Sequence, residues 1–326
     1  MKAAWYERNG AARDVFTVGD MTEPVVGPGE VRVRLHASGV NPSDVKTRSG
    51  QSRKLAFGRA IPHSDGAGVI DQVGPGVSPA RLGERVWTYN AAWQRPFGTA
   101  AQFVALPTTQ AVQLPANADF AAGACLGIPV MTAHRALFAD GSITGQTVLV
   151  SGGAGVVGHY AIQLAKWAGA TVITTVSSTA KAAHARSAGA DYTIYYKQEV
   201  VVERVMALTN GLGVDRIVEV EFGGNMAINQ QVAKLDTVIA TYGSTIRDPR
   251  LEFFPLVFKN LVIRMVHMYG MSEAAKLAAA RGIAAWIGGG RAQFAIAARY
   301  PLQDIVAAHE TVEAGAKVGH VLLEIA

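Results

Sequence analysis

The sequence predicts an α/β protein in which a doubly wound parallel sheet is combined with a second, β-rich domain. Short runs of strand-like residues separated by Gly and Pro fill the first 120 or so residues, and strands alternate with helices beyond them. A glycine-rich turn connects the first of the later strands to a helix. Strands that alternate with helices form crossover units, which build a parallel sheet.

The N-terminal part is predicted to form a compact, barrel-like β domain. Residues 31–37 alternate between apolar and polar, which puts Val31, Val33 and Leu35 on one face. Similar short runs follow at 68–73, 85–89 and 101–106, each bounded by turn residues. Short strands at this spacing are typical of a barrel or sandwich.

The later elements are predicted from their periodicity and from β-branched runs. An Ala- and Leu-rich helix spans 119–138, with a break at 127–129. An Ala-rich helix follows residue 272, and a closing strand at 321–325 would return to the first domain. Between them, the predicted strands are 147–150, 171–176, 192–195, 216–220, 238–242 and 261–268, and the predicted helices are 156–168, 179–188 and 200–209.

Composition limits the class of protein. The 326 residues are enough for two domains, and 49% apolar with 17% charged residues is a globular composition. The net charge of +5 is spread along the chain without a basic stripe, so a nucleic acid is not an expected partner. The one cysteine, Cys125, excludes a disulfide within the chain and a Cys-rich zinc site.

The sequence gives no sign of a membrane or export segment. The N-terminal residues lack the apolar region of a signal peptide, and no apolar stretch reaches the ~20 residues of a membrane span. We therefore expect a cytoplasmic protein.

The strongest motif is the turn Gly153-Ala154-Gly155-Val156-Val157-Gly158, which matches G-x-G-x-x-G. It follows a predicted strand and opens an amphipathic helix, which is the context that makes the motif specific. The first glycine allows the tight turn, the second lets the backbone approach a pyrophosphate, and the third lets the helix pack closely. The N–H groups of the first helical turn would then face the phosphates.

The next strand indicates which dinucleotide would bind. An NAD site uses a carboxylate about 20 residues on to hold the ribose hydroxyl, but no Asp or Glu occurs between Gly158 and Asp191. The strand is followed instead by Ser177, Ser178 and Lys181, whose donors and charge suit a 2′-phosphate. We therefore predict NADP(H), although the serines would also cap a helix and the lysine would also suit a solvated surface.

Four segments together resemble the zinc-free quinone oxidoreductases (zeta-crystallin-like) of the medium-chain dehydrogenase/reductase superfamily. They are ASGVNPSDVKTRSG at 37–50, GIPVMTAHRAL at 127–137, SGGAGVVGHYAIQLAKWAGA at 151–170 and YPLQDIVAAHE at 300–310. The resemblance implies a GroES-like catalytic domain from residues 1–122 and 269–326, with a Rossmann NADP-binding domain at 123–268 inserted. It also implies a homodimer and small-molecule quinone or enone acceptors.

The resemblance further implies roles for individual residues. Asn41 would face the nicotinamide and the substrate, and Asn41 and Lys46 are the candidate catalytic donors to the oxygen that becomes negative. Asn41 before Pro42 would also suit a plain turn, and Lys46 a solvated surface. Further cofactor contacts are expected from Thr132, Ser177, Ser178, Lys181, Tyr196, Tyr242, Gly243, Ser244, His267, Met268 and Tyr269, in addition to the glycine turn.

Three residues depart from the pattern of these relatives. Val156 replaces a Gly of the turn and would shift the pyrophosphate slightly, and Lys46 replaces a substrate-facing Tyr in some relatives. His63 replaces a usual Gly. The positions that hold zinc in related dehydrogenases fall on Ser43 or Asp44 and on residues 64–65, so we expect no metal. A zinc site made by His63 with Asp44 is the remaining alternative.

The predicted reaction is zinc-independent hydride transfer from NADPH to a quinone or another electron-poor α,β-unsaturated carbonyl. Such acceptors need no Lewis acid, whereas alcohol oxidation does. Two alternatives remain open at this point: an enoyl or 2-alkenal reductase on the same scaffold, and a structural or regulatory protein that binds NADPH without turnover.

Overall fold

The computed structural model describes residues 1–325. The chain forms two compact units, Met1–Ile128 with Ile287–Ala326, and Pro129–Trp286. The second boundary lies later than the residue 269 expected from the sequence. The helix at 273–288 packs within the second unit, where Trp286 meets Tyr160 edge to face at 6.0 Å and Gly282 lies against His134.

The strands and helices are numbered in chain order. The strands are β1 Lys2–Trp5, β2 Thr17–Asp20, β3 Glu30–Val40, β4 Asp65–Val73, β5 Arg85–Thr88, β6 Phe103–Pro107, β7 Ala111–Gln113, β8 Thr147–Val150, β9 Thr171–Val176, β10 Tyr192–Tyr195, β11 Val214–Glu219, β12 Ala233–Thr241, β13 Val262–Met265, β14 Ile296–Pro301 and β15 His320–Glu324. The α-helices are α1 Ala12–Val15, α2 Pro42–Ser49, α3 Phe120–Gly123, α4 Met131–Phe138, α5 Val156–Trp167, α6 Thr179–Ser187, α7 Val201–Leu208, α8 Phe222–Val232, α9 Phe253–Val257, α10 Glu273–Gly288 and α11 Ile305–Glu313.

The first unit is built on a seven-stranded sheet. Its order is β14-β15-β3-β4-β5-β7, and β6 also pairs with β3. The long strand β3 is the centre of this sheet, and its residues Val31, Val33 and Leu35 are buried in the core as the alternation predicted. The closing strand β15 pairs antiparallel with β3, with Val321 opposite Val40. The predicted return of the chain end to the first domain is therefore confirmed.

The second unit is built on a six-stranded, fully parallel sheet in the order β10-β9-β8-β11-β12-β13. The chain enters at β8, runs outward through β9 and β10, and then returns to the other side of β8 with β11. The strand order therefore reverses between β8 and β11, which is where ligands bind in open α/β sheets. The predicted doubly wound, Rossmann-type sheet is confirmed.

The Ala-rich segment before this sheet is interrupted where the sequence predicts a break. The short helix α3 gives way to a π-helical turn at Leu126–Val130, which contains Pro129, and α4 follows directly. Proline has no N–H for a regular helical bond, which accounts for the irregular turn. No helix among residues 1–325 is long and apolar enough to cross a membrane.

Candidate functional site

The glycine-rich turn connects β8 to α5 and is tightly packed. An added Cβ at Gly153 would overlap the Thr174 hydroxyl on β9, and one at Gly158 would lie 2.5 Å from the carbonyl oxygen of Gly152. Gly152 adopts a left-handed φ of 68°, so the sharp turn depends on a glycine that precedes the recognised motif. Gly155 is the N-cap of α5, and an added Cβ there would meet only the Gly152 oxygen, at 3.2 Å.

This geometry fits a dinucleotide pyrophosphate. The first-turn N–H groups of a helix have no partner within the helix, and the helix dipole adds partial positive charge at this end. The absence of a side chain at Gly155 leaves the backbone open to a phosphate. Val156, where the resemblance leads us to expect glycine, is half-buried and is the first residue of α5, so its backbone is helical.

A pocket of about 280 Å³ lies beside this turn, at the point where the strand order reverses. It is lined at the carboxyl ends of β8, β9 and β11 by Ser151, Gly152, Thr175 and Val220, and Tyr196 also faces it. Its position matches the expected place of a nucleotide in a doubly wound sheet.

An acidic group forms the floor of this pocket. The side chain of Glu219 is fully buried at the end of β11 and accepts hydrogen bonds from Asn225, Asn229 and the N–H of Glu221, at 2.6–3.0 Å. Asn225 also donates to the Ser151 hydroxyl at 3.0 Å. Motif reasoning did not identify these residues, because their proximity depends on how α8 packs against the sheet.

The residues predicted to bind a 2′-phosphate gather at the carboxyl end of β9. Ser177 directly follows that strand, and the N–H of Tyr196 donates to the Val176 carbonyl at 3.2 Å. Ser178 is the N-cap of α6, and its hydroxyl accepts from the N–H of Lys181 at 3.3 Å. The capping role considered for the serines is therefore real for Ser178. Tyr196 lines the pocket, whereas Ser177, Ser178 and Lys181 do not.

The remaining predicted cofactor residues of this unit lie mostly at the same edge of the sheet. Residues 242–244 follow β12, where the Gly243 carbonyl accepts from the Phe222 N–H and an added Cβ would meet the Val220 oxygen at 2.5 Å. Residues 267–269 follow β13, with the His267 and Tyr269 rings 5.4 Å apart. Thr132 is buried on α4.

In the first unit, Asn41 links the end of β3 to the start of α2. Its side chain accepts from the N–H of Asp44, and its own N–H donates to the Asp44 carboxylate at 2.8 Å, which forms a capping box. Its side-chain amide also donates to Asp65 at 2.8 Å. Asn41 is thus held rigidly and is only 4% exposed. One amide hydrogen is used by Asp65, and an amide nitrogen carries two.

Two buried carboxyl groups flank Asn41, and the motif search singled out neither of them for this role. Burial raises the pKa of Asp44 to about 7, against the lowering effect of its hydrogen bonds with Asn41. Burial and the nearby Asp44 charge raise the pKa of Asp65 well above its usual range. The Asp65 carboxyl also accepts from the Ile128 N–H at 2.9 Å, and an added Cβ at Gly127 would overlap it.

Lys46 and His63 have very different surroundings. Lys46 lies exposed in the last turn of α2. His63 is fully buried and contacts Ser38 and His309 at 2.9 Å each. Among residues 1–325, no three His, Cys, Asp or Glu side chains are grouped so that they could hold a metal ion.

A larger pocket of about 600 Å³ in the first unit contains none of the predicted site residues. It is lined mainly by residues 20–25, 95–97 and 103–105, with Arg59 at one side. The predicted chemistry gives it no role.

Comparison with known proteins agrees with this geometry. Residues 27–116 match the alcohol dehydrogenase GroES-like domain, and residues 156–283 match the zinc-binding dehydrogenase domain. The chain is 30% identical to the quinone oxidoreductase of Rattus norvegicus, covering 93% of this chain and 92% of that protein. It is 28% identical to a 2-haloacrylate reductase of a Burkholderia species, covering 99% and 98%. The Escherichia coli quinone oxidoreductase complexed with NADPH superposes with a TM-score of 0.87 at 25% identity, covering 99% and 100%.

A Rossmann-type domain inserted in a GroES-like domain defines a medium-chain dehydrogenase/reductase. Within that superfamily, the chain belongs to the zinc-free quinone oxidoreductase family. It is accordingly an oxidoreductase, and the non-catalytic alternative is set aside.

Proposed function

We propose that this protein is a zinc-independent reductase that uses NADPH to reduce quinones or other electron-poor α,β-unsaturated carbonyls. The observation that carries the proposal is the glycine turn at the reversal point of the parallel sheet, with Ser177, Ser178, Lys181 and Tyr196 at the neighbouring strand end. The general class, an NADPH-dependent reductase, follows from the family.

On the cofactor side, the residues have three tasks. The N-terminus of α5, together with Gly153–Gly158, would hold the pyrophosphate, and Lys181 with Ser177 and Tyr196 would hold the 2′-phosphate. Residues 242–244 and 267–269, together with Thr132, would line the rest of the dinucleotide. When bound, the reduced nicotinamide supplies a hydride to the electron-poor carbon of the acceptor.

The first unit would stabilise the acceptor as it becomes negative. The second hydrogen of the Asn41 amide would donate to the acceptor oxygen, since Asp65 holds the amide in a fixed orientation. The Lys46 ammonium would add positive charge near the same oxygen. A hydroquinone or enolate oxygen is a weak enough base for water to supply the proton, so no dedicated acid is required.

The proposal includes a homodimer. The edge strand β13 and the helix α9 expose a cluster of apolar side chains: Phe253, Phe254, Val257, Phe258, Val262 and Met265. An exposed apolar surface beside an unpaired strand edge is a typical subunit interface.

Fluorescence titration with NADPH and NADH, followed by oxidation assays with para-benzoquinone and an enone, tests the proposal. We expect tight NADPH binding, weaker NADH binding and rapid turnover. Lys181→Ala should raise the Kd for NADPH about tenfold and barely change that for NADH, because only NADPH carries the 2′-phosphate. Equal loss for both cofactors would contradict the phosphate role, and absent turnover on both acceptors would contradict the function.

A further inference from the structure

A patch of cations follows the helix that Asn41 begins. Residues 41–60 contain five basic side chains and one acidic side chain, Asp44, which is buried. Two of the bases are already ion-paired, Arg48 with Glu313 and Arg59 with Glu7. The other three, Lys46, Arg53 and Lys54, are exposed and form no ion pair within residues 1–325.

Hydrogen bonds hold this segment against the end of α2. The Ser52 N–H donates to the Lys46 carbonyl at 3.2 Å, and the hydroxyls of Thr47 and Ser52 lie 3.2 Å apart. The side chain of Asn9 donates to the carbonyls of Thr47 and Arg48 and accepts from the Leu55 N–H at 2.9 Å. Arg53 therefore begins beside the last turn of α2, next to Lys46.

The guanidinium of Arg53 has a defined position. It lies over the ring of Trp93, 5.0 Å from the ring centroid, and Trp93 comes from a separate segment of the unit. Stacking of this kind orients the planar donor fork and leaves its edge open to an anion. The Arg53 charge also opposes the rise in the pKa of Asp44, whose carboxylate binds the N–H of Asn41. The Arg53 charge thus acts on the carboxyl group that holds the main chain of Asn41, the residue proposed to face the acceptor.

We propose that Arg53 binds the carboxylate of an anionic acceptor, so that the preferred substrates are α,β-unsaturated carbonyl compounds bearing a carboxylate. This inference rests on the proposed function and names the substrate class of the same site. A guanidinium pairs with a carboxylate through two parallel hydrogen bonds, which fixes orientation as well as charge. Lys46 then remains for the oxygen that becomes negative on reduction.

A carboxylate acceptor and its neutral ester, compared in each variant, test the inference. β-Benzoylacrylate and its methyl ester share one enone, and their ratio of kcat/KM cancels effects common to both. In Arg53→Gln, this acid-to-ester ratio should fall about tenfold at low ionic strength, since the lost attraction is electrostatic and partly screened by salt. Arg53→Lys should retain most of the ratio because the charge remains.

The matched control is Arg59→Gln. Arg59 also lies 5.0 Å from an aromatic centroid, that of Trp5, but it is already paired with Glu7. The Arg59→Gln substitution removes the same charge as Arg53→Gln, and the acid-to-ester ratio should stay unchanged. An equal fall in this control would mean that only net charge matters and would overturn the inference.

The remaining outcomes separate the inference from the proposed function. An unchanged ratio in an active Arg53→Gln enzyme overturns the inference alone. A raised Kd for NADPH with an unchanged ratio would assign the cation to a cofactor phosphate instead, and would also overturn it. A wild-type protein that oxidises NADPH with neither acceptor nor with para-benzoquinone contradicts the proposed function and this inference with it.

Discussion

At the scale of single residues, His63 shows how a departure from the family pattern is accommodated. It has a left-handed φ of 74°, a conformation that glycine, the residue expected there from the resemblance, adopts without strain. The Thr99 hydroxyl donates its single proton to the Asp65 carbonyl, so it must accept from the Ser38 hydroxyl. Because the Ser38 proton is then used, Ser38 accepts from His63 Nδ1. Because both rings are fully buried, the neutral state is favoured, and in that state His63 Nε2 carries no proton and accepts from His309 Nε2.

The buried imidazoles should make stability depend on pH. Burial lowers the pKa of His63 to about 3 and that of His309 well below its usual range. The histidines of the unfolded chain bind protons near pH 6.5, whereas the buried rings do not. The contribution of these rings to the stability of the folded protein is therefore at its full value above that pH and is lost as pH falls. For His63 alone, the free energy of unfolding should decrease by about 1.4 kcal/mol per pH unit between 6.5 and 3.

Asp44 and Asp65 act in the opposite direction, because their raised pKa values mean that the folded protein gains protons as pH falls. A variant comparison therefore isolates the histidine. His63→Asn keeps a residue that tolerates the left-handed conformation and removes the titrating ring. Urea unfolding from pH 7 to 4.5 should show the wild type losing stability relative to the variant. A constant difference across that range would refute the assignment.

Sequence alone could place residues whose position depends on local structure, but not those whose position depends on packing. The glycine motif and the serines after β9 follow directly from a strand-to-helix connection, so they were predictable. The cluster of Asp65 with Asn41 was not, because its members are 24 residues apart and meet through the pairing of β3 with β4. Gly152 was missed because the motif begins one residue later.

At the scale of elements, the strands of the parallel sheet were well predicted because they are rich in β-branched and other apolar residues, and β8, β9 and β11 are also largely buried. The helix α8 was missed, since Gly223 and Gly224 open it and polar Asn and Gln residues follow. The helix α2 was missed because its eight residues carry a weak apolar pattern, and it is specified instead by its capping box and by Pro42. Strands β1, β2 and β7 were also missed, because each is only three or four residues long.

The glycine turn gives a prediction that separates folding from cofactor binding. Gly158→Ala would force a Cβ to within 2.5 Å of the Gly152 oxygen and should destabilise the protein by about 2 kcal/mol or more. Gly155→Ala meets only one atom, at 3.2 Å, and its φ of −71° suits any residue.

Gly155→Ala should therefore melt close to the wild-type temperature yet bind NADPH about tenfold more weakly, because the methyl group would stand where a phosphate approaches the backbone. Thermal melts and fluorescence titration of both variants make the check. If Gly155→Ala binds NADPH as tightly as the wild type, the pyrophosphate does not lie on this turn.

At the scale of the whole molecule, the chain ends are used to complete the first unit. Strands β14 and β15 join the sheet through β3, so the first unit cannot be completed until the second has been synthesised. The second unit starts its sheet at the centre and builds outward, which leaves β10 and β13 as edges. The two edges differ, because β13 follows the exposed phenylalanines of α9 in the chain and carries Met265 exposed.

This difference predicts which edge would form the proposed dimer. Antiparallel pairing of β13 with its copy about a twofold axis would satisfy the strand edge and cover the apolar cluster in one self-complementary contact. Light scattering should give twice the chain mass of 34.3 kDa for the wild type. Met265→Lys should give a monomer, since a lysine on an edge strand opposes pairing.

The matched control is Leu212→Lys. Leu212 is 68% exposed and Met265 is 69% exposed, so both changes place the same charge at equally exposed apolar positions of the second unit. Leu212 lies in the turn before β11, a central strand, and its variant should remain dimeric. Dissociation of both variants would show that added charge alone separates the subunits. A dimer that survives Met265→Lys would place the interface away from β13.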